Sequence, residues 1–315
     1  MTFMEFLKKF PTEKAAIDHF AAVRYGGVLA CPHCGAASGV YRHKRRARYC
    51  ECSHCNNSFS VFKGTIFEGS KVDIRSWFFA INIFLNDKKG VSACNLQREI
   101  GGSYRTSWRM LHQIRAAMGA VETYQVFSKL VEVDETYVGG KPKIGVSKRG
   151  RGTDKVPVIG IMERGTGQVR AKAVRLEGEK GKDLLKVFLI PYIKRVVEEG
   201  TTVVTDDFKG YAALDDKDEG YTHLSINHSE RQYSDGNGVH TNNIENFWGI
   251  FKRGYIGVYH RMSPKYLQRY INEACYRRNN RRNPGAFDRL LKQSIMKAAN
   301  HAWKIDNSGG WLWNG

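Results

Sequence analysis

No stretch of about 18 consecutive apolar residues occurs in this 315-residue chain, so no segment reads as a transmembrane helix. The first residues carry Glu5, Lys8 and Lys9 where a secretory signal needs an apolar core, and a cytoplasmic protein is expected. Acidic side chains are scarce beside basic ones, 31 against 50, leaving a formal net charge of +19. That deficit implies a polyanionic partner, with nucleic acid favoured over a membrane surface. Cysteine is sparse and odd in number, at seven. An odd count with four residues in CxxC pairs argues for metal binding in a reducing compartment rather than a disulfide framework.

What is present falls into segments. Over residues 1–26, Phe6, Phe10, Ala15, Ile17, Phe20 and Val23 recur at helical spacing, giving one or two short lead-in helices. Residues 27–66 contain Cys31-Pro-His-Cys34 and Cys52-Ser-His-Cys55, separated by 17 residues. Two CxxC turns present two thiolates each, which completes a zinc tetrahedron in a ribbon. Cys50 breaks that geometry, and His33 and His54 sit inside the CxxC turns, where their side chains point away. Between the pairs, Arg42, Lys44, Arg45, Arg46 and Arg48 lie between Tyr41 and Tyr49. This is either a solvated hairpin or, as the charge density beside a metal favours, a phosphate-contacting one.

Residues 70–122 read as helical. Trp77, Ala80, Ile81 and Phe84 form an amphipathic stripe, and Val91–Ile100 and Ser103–Arg115 are two helices joined by Gly101-Gly102. The pair is either an ordinary helical hairpin or a helix-turn-helix, whose second helix would offer Arg105, Thr106 and Arg109 to DNA. Cys94 is expected in the core.

From residue 129 the period changes to two. Strands are expected at Val131–Gly140, Val156–Met162 and Val169–Val174, with a hairpin turn over Glu163–Gln168 and a mobile basic loop over Lys141–Lys155. A helix over residues 181–199 turns Leu185, Phe188, Leu189, Tyr192 and Val196 inward and is kinked at Pro191. There follow a strand ending at Asp206, a short helix through Tyr211, a strand over Leu224–Asn227 and a helix carrying Glu245. The order is βββαβαβα. Carboxylates stand on three of these elements: Glu132 and Asp134, then Asp206-Asp207, then Glu245. A carboxylate in a half-buried strand needs a cation or a metal ion to meet it. Glu245, Trp248 and Lys252 share a helix face, at i, i+3 and i+7.

The ordered set of Cys pairs, Val-Asp134-Glu-Thr-Tyr-Val-Gly-Gly, Thr205-Asp206, His240-Thr-Asn-Asn-Ile-Glu245-Asn-Phe-Trp and Lys252-Arg-Gly with Gly257-Val-Tyr-His260 resembles the small bacterial insertion-sequence DDE transposases with an N-terminal zinc ribbon. The resemblance covers roughly residues 1–285. It implies an α/β (α+β overall) architecture, with a ribonuclease H-like mixed-sheet catalytic domain at 127–285 after the zinc ribbon and helix-turn-helix, and a C-terminal helix and tail at 286–315. It implies binding of double-stranded DNA at element ends and in the target, metal-dependent cleavage, and joining of 3′ hydroxyls to target DNA by a homodimer or higher homo-oligomer. Two Mg²⁺ or Mn²⁺ ions suit such chemistry, because hard oxygen ligands favour them. Asp134 would bridge them and Asp206 would hold one, with Asp207 and Glu132 as the weaker alternatives. The third ligand is Glu245 or Asn242, with Asn243 beside it. Lys252 and Arg253 would meet phosphate, as would Arg277, Arg278, Arg281 and Arg282. His240 and His260 flank the site as positioning or structural groups, Trp248 and Phe251 read as core aromatics, and Lys265–Tyr276 as a closing helix. No role for the tail from Asn307 follows from its composition. Two competing readings are a non-catalytic DNA-binding regulator and a nuclease of RNA·DNA hybrids.

Overall fold

The computed structural model describes residues 1–119, 126–139, 155–174, 182–216, 220–226, 240–295, 303–305 and 311–313. The expected basic loop at 141–154, Gly140, Asn227 and most of the tail lie outside these. The chain divides into two compact units: Met1–Val121 with Asn280–Asn300, and Glu122–Asn279 with His301–Gly315.

The first unit begins with α1 (Phe3–Lys9) and α2 (Glu13–Tyr25). Thr2 and Glu5 form a capping box on α1, and Thr12 caps α2. A three-stranded antiparallel sheet follows: β1 (Val40–Arg42), β2 (Tyr49–Cys52) and β3 (Ser58–Ser60). Then come α3 (Ile74–Asn86), α4 (Ala93–Ile100) and α5 (Tyr104–Met118), each opened by an Asp or Ser N-cap. Gly101 and Gly102 both have positive φ, which makes the tight connection between α4 and α5 possible. Cys94 is exposed, contrary to expectation. Leu96 is the one residue of this eight-residue helix that is buried, and a step of two residues carries Cys94 about 200° round the axis from it.

An aromatic cluster holds this unit together. Phe10 packs against Phe78 at 5.1 Å and Phe287 at 5.7 Å, and Phe67 against Trp77 at 5.2 Å. Phe287 belongs to α9 (Ala286–Ile295), which buries Leu290 and Leu291 as well. His19 meets Asp288 at 2.7 Å and the Ile66 amide donates to the Ser294 carbonyl at 3.1 Å. The C-terminal helix is thus part of the N-terminal unit's core.

The second unit is a five-stranded sheet in the order β6-β5-β4-β7-β8. Its strands are β4 (Leu130–Val138), β5 (Val156–Glu163), β6 (Val169–Ala173), β7 (Thr202–Asp206) and β8 (Thr222–Ile226). The first three are antiparallel and β4, β7 and β8 are parallel. With α6 (Lys182–Val196) crossing between β6 and β7, and α7 (Asn242–Gly254) following β8, this is the ribonuclease H-like arrangement. Pro191 lies inside α6, as expected.

The period of two sorts β4 between layers. Val131 and Val133 join Phe188, Leu189, Ile193 and Val196 of α6, with Tyr211 and Leu214 of the 3-10 helix Lys209–Asp215. On the other face, Val138, Val158 and Met162 meet Ile244, Phe247, Trp248 and Phe251 of α7, and Leu267, Ile271 and Cys275 of α8 (Leu267–Asn280). Gly160 is paired with Asp134 in the register, and a Cβ there would collide with the Trp248 ring. The missing side chain lets α7 lie close against the sheet beside Asp134.

Two further features of this unit matter below. Strand β6 forms an edge, and α8 covers it with two carboxamides. Asn279 accepts from the Val169 amide (2.8 Å) and donates to the Val169 carbonyl (2.9 Å). Gln268 accepts from the Ala173 amide (2.8 Å) and donates to the Ala171 carbonyl (3.1 Å). At its C-terminus, α7 runs into one π-helical turn, Tyr255–Tyr259, closed by a bond from the His260 amide to the Tyr255 carbonyl at 2.8 Å. His260 ends the turn with φ 55. In the tail, Trp303–Ile305 and Trp311–Trp313 pair as an antiparallel ribbon, β9 and β10.

Candidate metal and catalytic sites

The four cysteines of the two CxxC turns converge, with one sulfur from each within 4.8 Å of the others. Cys31 lies 3.7 Å from Cys55 and Cys34 lies 3.7 Å from Cys52. The two turns share a closing backbone bond. The Cys31 amide donates to the Ala36 carbonyl at 2.9 Å, and the Cys52 amide to the Asn57 carbonyl at 3.1 Å. Each turn also has a left-handed residue, Gly35 or Asn56, directly after its second cysteine. Hydrogen bonds from the Asn57 side chain and backbone bring the Cys55 thiol down to about 6, while, against a backbone hydrogen bond from Ala36, desolvation and the neighbouring sulfurs push Cys34 up to about 12. His54 meets Ser38 at 3.3 Å and stays out of the sulfur cluster.

Of the basic residues between the cysteine pairs, Lys44, Arg45 and Arg46 are exposed. Arg42 instead donates to Asp18 at 2.8 Å and to the Ala47 carbonyl at 2.9 Å. Arg48 donates to the Val72 carbonyl at 3.2 Å and pairs with Glu13 at 3.4 Å. These two tie the ribbon to the helices of the same unit. On α5, Arg105 and Arg109 are exposed, and Thr106 binds the Ser103 cap through both its amide and its hydroxyl.

In the second unit, pairing between β4 and β7 covers Leu130–Glu132 and Thr202–Val204. Asp134 and Asp206 lie just beyond it, at the C-terminal ends of adjacent parallel strands, where open α/β sheets form their binding crevices. Oxygens of Asp134, Asp206 and Glu135 all lie within 4.8 Å of one another. Glu135 was not expected here, because neighbours on a strand face opposite ways. It does face the α6 layer, where its carboxylate accepts from the buried Tyr211 hydroxyl at 2.9 Å, and its backbone amide donates to Asp134 at 2.8 Å. Beyond the end of the ladder the two side chains nevertheless approach. Asp207 is exposed.

Removal from water, then the charges of Glu135 and Asp206, push the Asp134 carboxyl up to about 8. Glu245 adds a smaller upward push from α7, though it stands outside the close group. Its carboxylate accepts from the Thr241 hydroxyl at 2.8 Å. Asn242 is exposed at the start of the same helix.

Glu132 has a different place. It is fully buried and accepts from the Asn243 amide (2.9 Å), the Ile244 amide (3.0 Å) and the Asn243 side chain (2.8 Å) at the start of α7. Arg164 donates to it at 2.9 Å and to the His240 carbonyl at 2.6 Å. A carboxylate from β4 therefore caps α7, where the helix dipole favours negative charge. Thr241 makes no cap bond to the helix backbone, and its hydroxyl goes to Glu245 instead. Glu132→Ala should lower stability by about 3–5 kcal/mol, because Arg164 and two amides lose their buried partner. Chemical denaturation measures this; a change under about 0.5 kcal/mol would mean that the buried network does not hold α7.

The transposase zinc-ribbon domain profile matches residues 11–58, and that of the ISXO2-like transposase domain matches residues 127–279. A protein of the transposable element ISH50 from Halobacterium salinarum is 30% identical over 296 residues, 89% of this chain and 95% of that protein. The chain belongs to the ISXO2-like transposase family. A transposase-like protein from Haemophilus influenzae is 32% identical over 92 residues, 29% of this chain and 71% of its own. Among solved structures, a chain of the simian T-cell lymphotropic virus intasome in complex with PP2A regulatory subunit B56 gamma is similar with TM-score 0.30 and 13% identity. The match covers 61% of this chain and 66% of that one, just under two thirds of its length. The zinc-ribbon match and the four-cysteine cluster together support a structural zinc site, and Asp134, Glu135 and Asp206 form a second group that could hold a metal ion. No helix among the described residues is long and apolar enough to cross a membrane.

Proposed function

We propose that the protein binds the ends of its insertion sequence, cuts strands there, and joins the freed 3′ hydroxyls to target DNA. The observation that carries this reading is the convergence of Asp134 and Asp206 at neighbouring strand ends, with Glu245 opposite on α7. A cluster of carboxylates that raises its own proton affinity fits a divalent ion, and an all-oxygen donor set selects Mg²⁺ or Mn²⁺. Asp134 and Asp206 would hold it, Glu245 would complete the set by turning from Thr241, and Glu135 buttresses Asp134 through its amide. Such ions, when bound, activate the attacking hydroxyl and neutralise charge on the leaving oxygen. Lys252, two turns beyond Glu245 and exposed, would bind the neighbouring phosphate. Lys44, Arg45, Arg46, Arg105 and Arg109 would contact the backbone of the element end, which makes binding strongly salt-dependent.

The test is a joining assay. Labelled element-end duplexes with a 3′ hydroxyl are incubated with the protein, a plasmid and Mg²⁺. Covalent transfer of label to the plasmid is expected, and a protein that binds ends but never nicks or joins them would be a regulator instead.

Metal uptake should depend on pH in a defined direction. Below about 8, Asp134 holds a proton that an ion must displace. Mn²⁺ affinity should therefore rise by up to about tenfold per pH unit until pH 8 and then level off, with proton release on binding below it. In the metal-free fold the same raised value means stability that is full below about pH 4 and is lost as pH climbs through 8. Calorimetric titration with Mn²⁺ in buffers of different ionisation enthalpy reads the uptake. Affinity that stays flat from pH 6 to 9 would remove Asp134 from the ligand set.

A further inference from the structure

Ile256 is 70% exposed, the highest value for a large apolar side chain among the described residues. A lone isoleucine on a surface is ordinary. This one stands on the π turn that extends α7, and π turns inside helices gather at functional sites. The turn is held from below: Tyr255 and Tyr259 pack against the α8 layer, the Tyr259 ring meets Tyr270 at 4.9 Å, and its hydroxyl donates to buried Glu273 at 2.5 Å. With those two tyrosines directed inward, Ile256 and Gly257 face solvent. Lys252 lies four residues before Ile256 and is exposed, and Arg253, Arg261 and Lys265, close by in the chain, are exposed as well. An exposed apolar tip in a stretch of chain with four exposed cations suits a ligand with a polyanionic exterior and an apolar interior, which describes stacked DNA.

We infer that Ile256 is a wedge that enters the duplex between two base pairs while Lys252, Arg253, Arg261 and Lys265 hold the flanking phosphates. The inference rests on the transposase reading above and gives the same helix a second contact with its substrate. Ile256 stands eleven positions beyond Glu245, roughly 16 Å along the helix, so the opened step lies away from the cleaved phosphate and not at it. Wedges of this kind unstack one step and bend the duplex.

The test uses full-length protein carrying Asp134→Ala, so that complexes stay uncut, with 2-aminopurine placed in turn at each position near the cleavage point. Binding should brighten the probe severalfold at one or two adjacent positions. Adding Ile256→Ser should abolish the rise, and Ile256→Leu should retain it. Because the side chain is exposed, Ile256→Ser should leave the melting temperature unchanged, which separates a DNA contact from a folding defect. No bright position, or a rise that survives Ile256→Ser, overturns the wedge. So does a Ser variant that loses the rise while also falling from a DNA-free oligomer to a monomer in sedimentation, since the face would then belong to a second copy. If the Ile256 protein does not bind element ends at all, the transposase reading falls with it, whereas flat fluorescence in a tight complex sinks the wedge alone.

Discussion

Replacing Asp134 or Asp206 with alanine is expected to abolish strand cleavage, by at least about 10³-fold, while binding to element ends stays within a factor of about two. The separation follows from where the residues lie. The acids stand at strand ends in the second unit, and the exposed Lys44, Arg45, Arg46, Arg105 and Arg109 belong to the first. Neither aspartate is needed for the core, since Val131, Val133 and Val203 carry the packing of their strands. Removing Asp134 also removes a carboxyl that the metal-free fold must protonate at neutral pH, so the variant should fold at least as well as the parent there. The third ligand is assigned by the same assay: loss in Glu245→Ala with activity kept in Asn242→Ala names Glu245, and the reverse names Asn242. Lys252→Ala should weaken cleavage without eliminating it, because a point charge orients a phosphate but replaces no metal ligand. Cleavage by Asp134→Ala in Mg²⁺ would show that the site lies elsewhere.

The second large effect is expected at the cysteine cluster. A Cys52→Ser, Cys55→Ser protein should lose its zinc, and with it binding energy of about 10–16 kcal/mol that holds the ribbon. The loss should spread beyond β1–β3. Arg42 and Arg48 join the ribbon to Asp18, Glu13 and the Val72 carbonyl, and Phe62 packs on Phe20 at 5.2 Å. End binding should fail together with the fold of the first unit, while the metal affinity of the Asp134 cluster survives. Zinc analysis and circular dichroism decide it, and unchanged zinc content would refute the assignment.

Much of this was legible before any coordinates. Alternation of Val131, Glu132, Val133 and Asp134 placed a strand with two different faces, and CxxC spacing placed the ribbon. Both signals are local, set by residues within a few positions of one another. What stayed hidden depends on partners far away in the chain. Glu132 looked like a rival metal ligand, yet Asn243 and Ile244, more than a hundred residues on, make it a helix cap. Arg164 carried no motif, although it neutralises that cap. Arg42 and Arg48 read as phosphate contacts by composition, and Asp18 and Glu13 from α2 take up their charge. Glu135 was missed because alternation does turn it to the other face of β4, yet past the end of the ladder with β7 both carboxylates still come within reach of Asp206.

The carboxamides that cover β6 have a consequence in time. Gln268 reaches back 95 residues to the Ala173 amide, so its codon is translated long after the strand it protects. At about 5–20 residues per second, the β6 edge waits roughly 5–20 seconds on the ribosome before α8 can cover it. During that interval the nascent chain carries an open strand edge of the kind that recruits other strands. Expression at a lower synthesis rate lengthens the wait, and the yield of this protein should therefore respond to chaperones that bind extended segments.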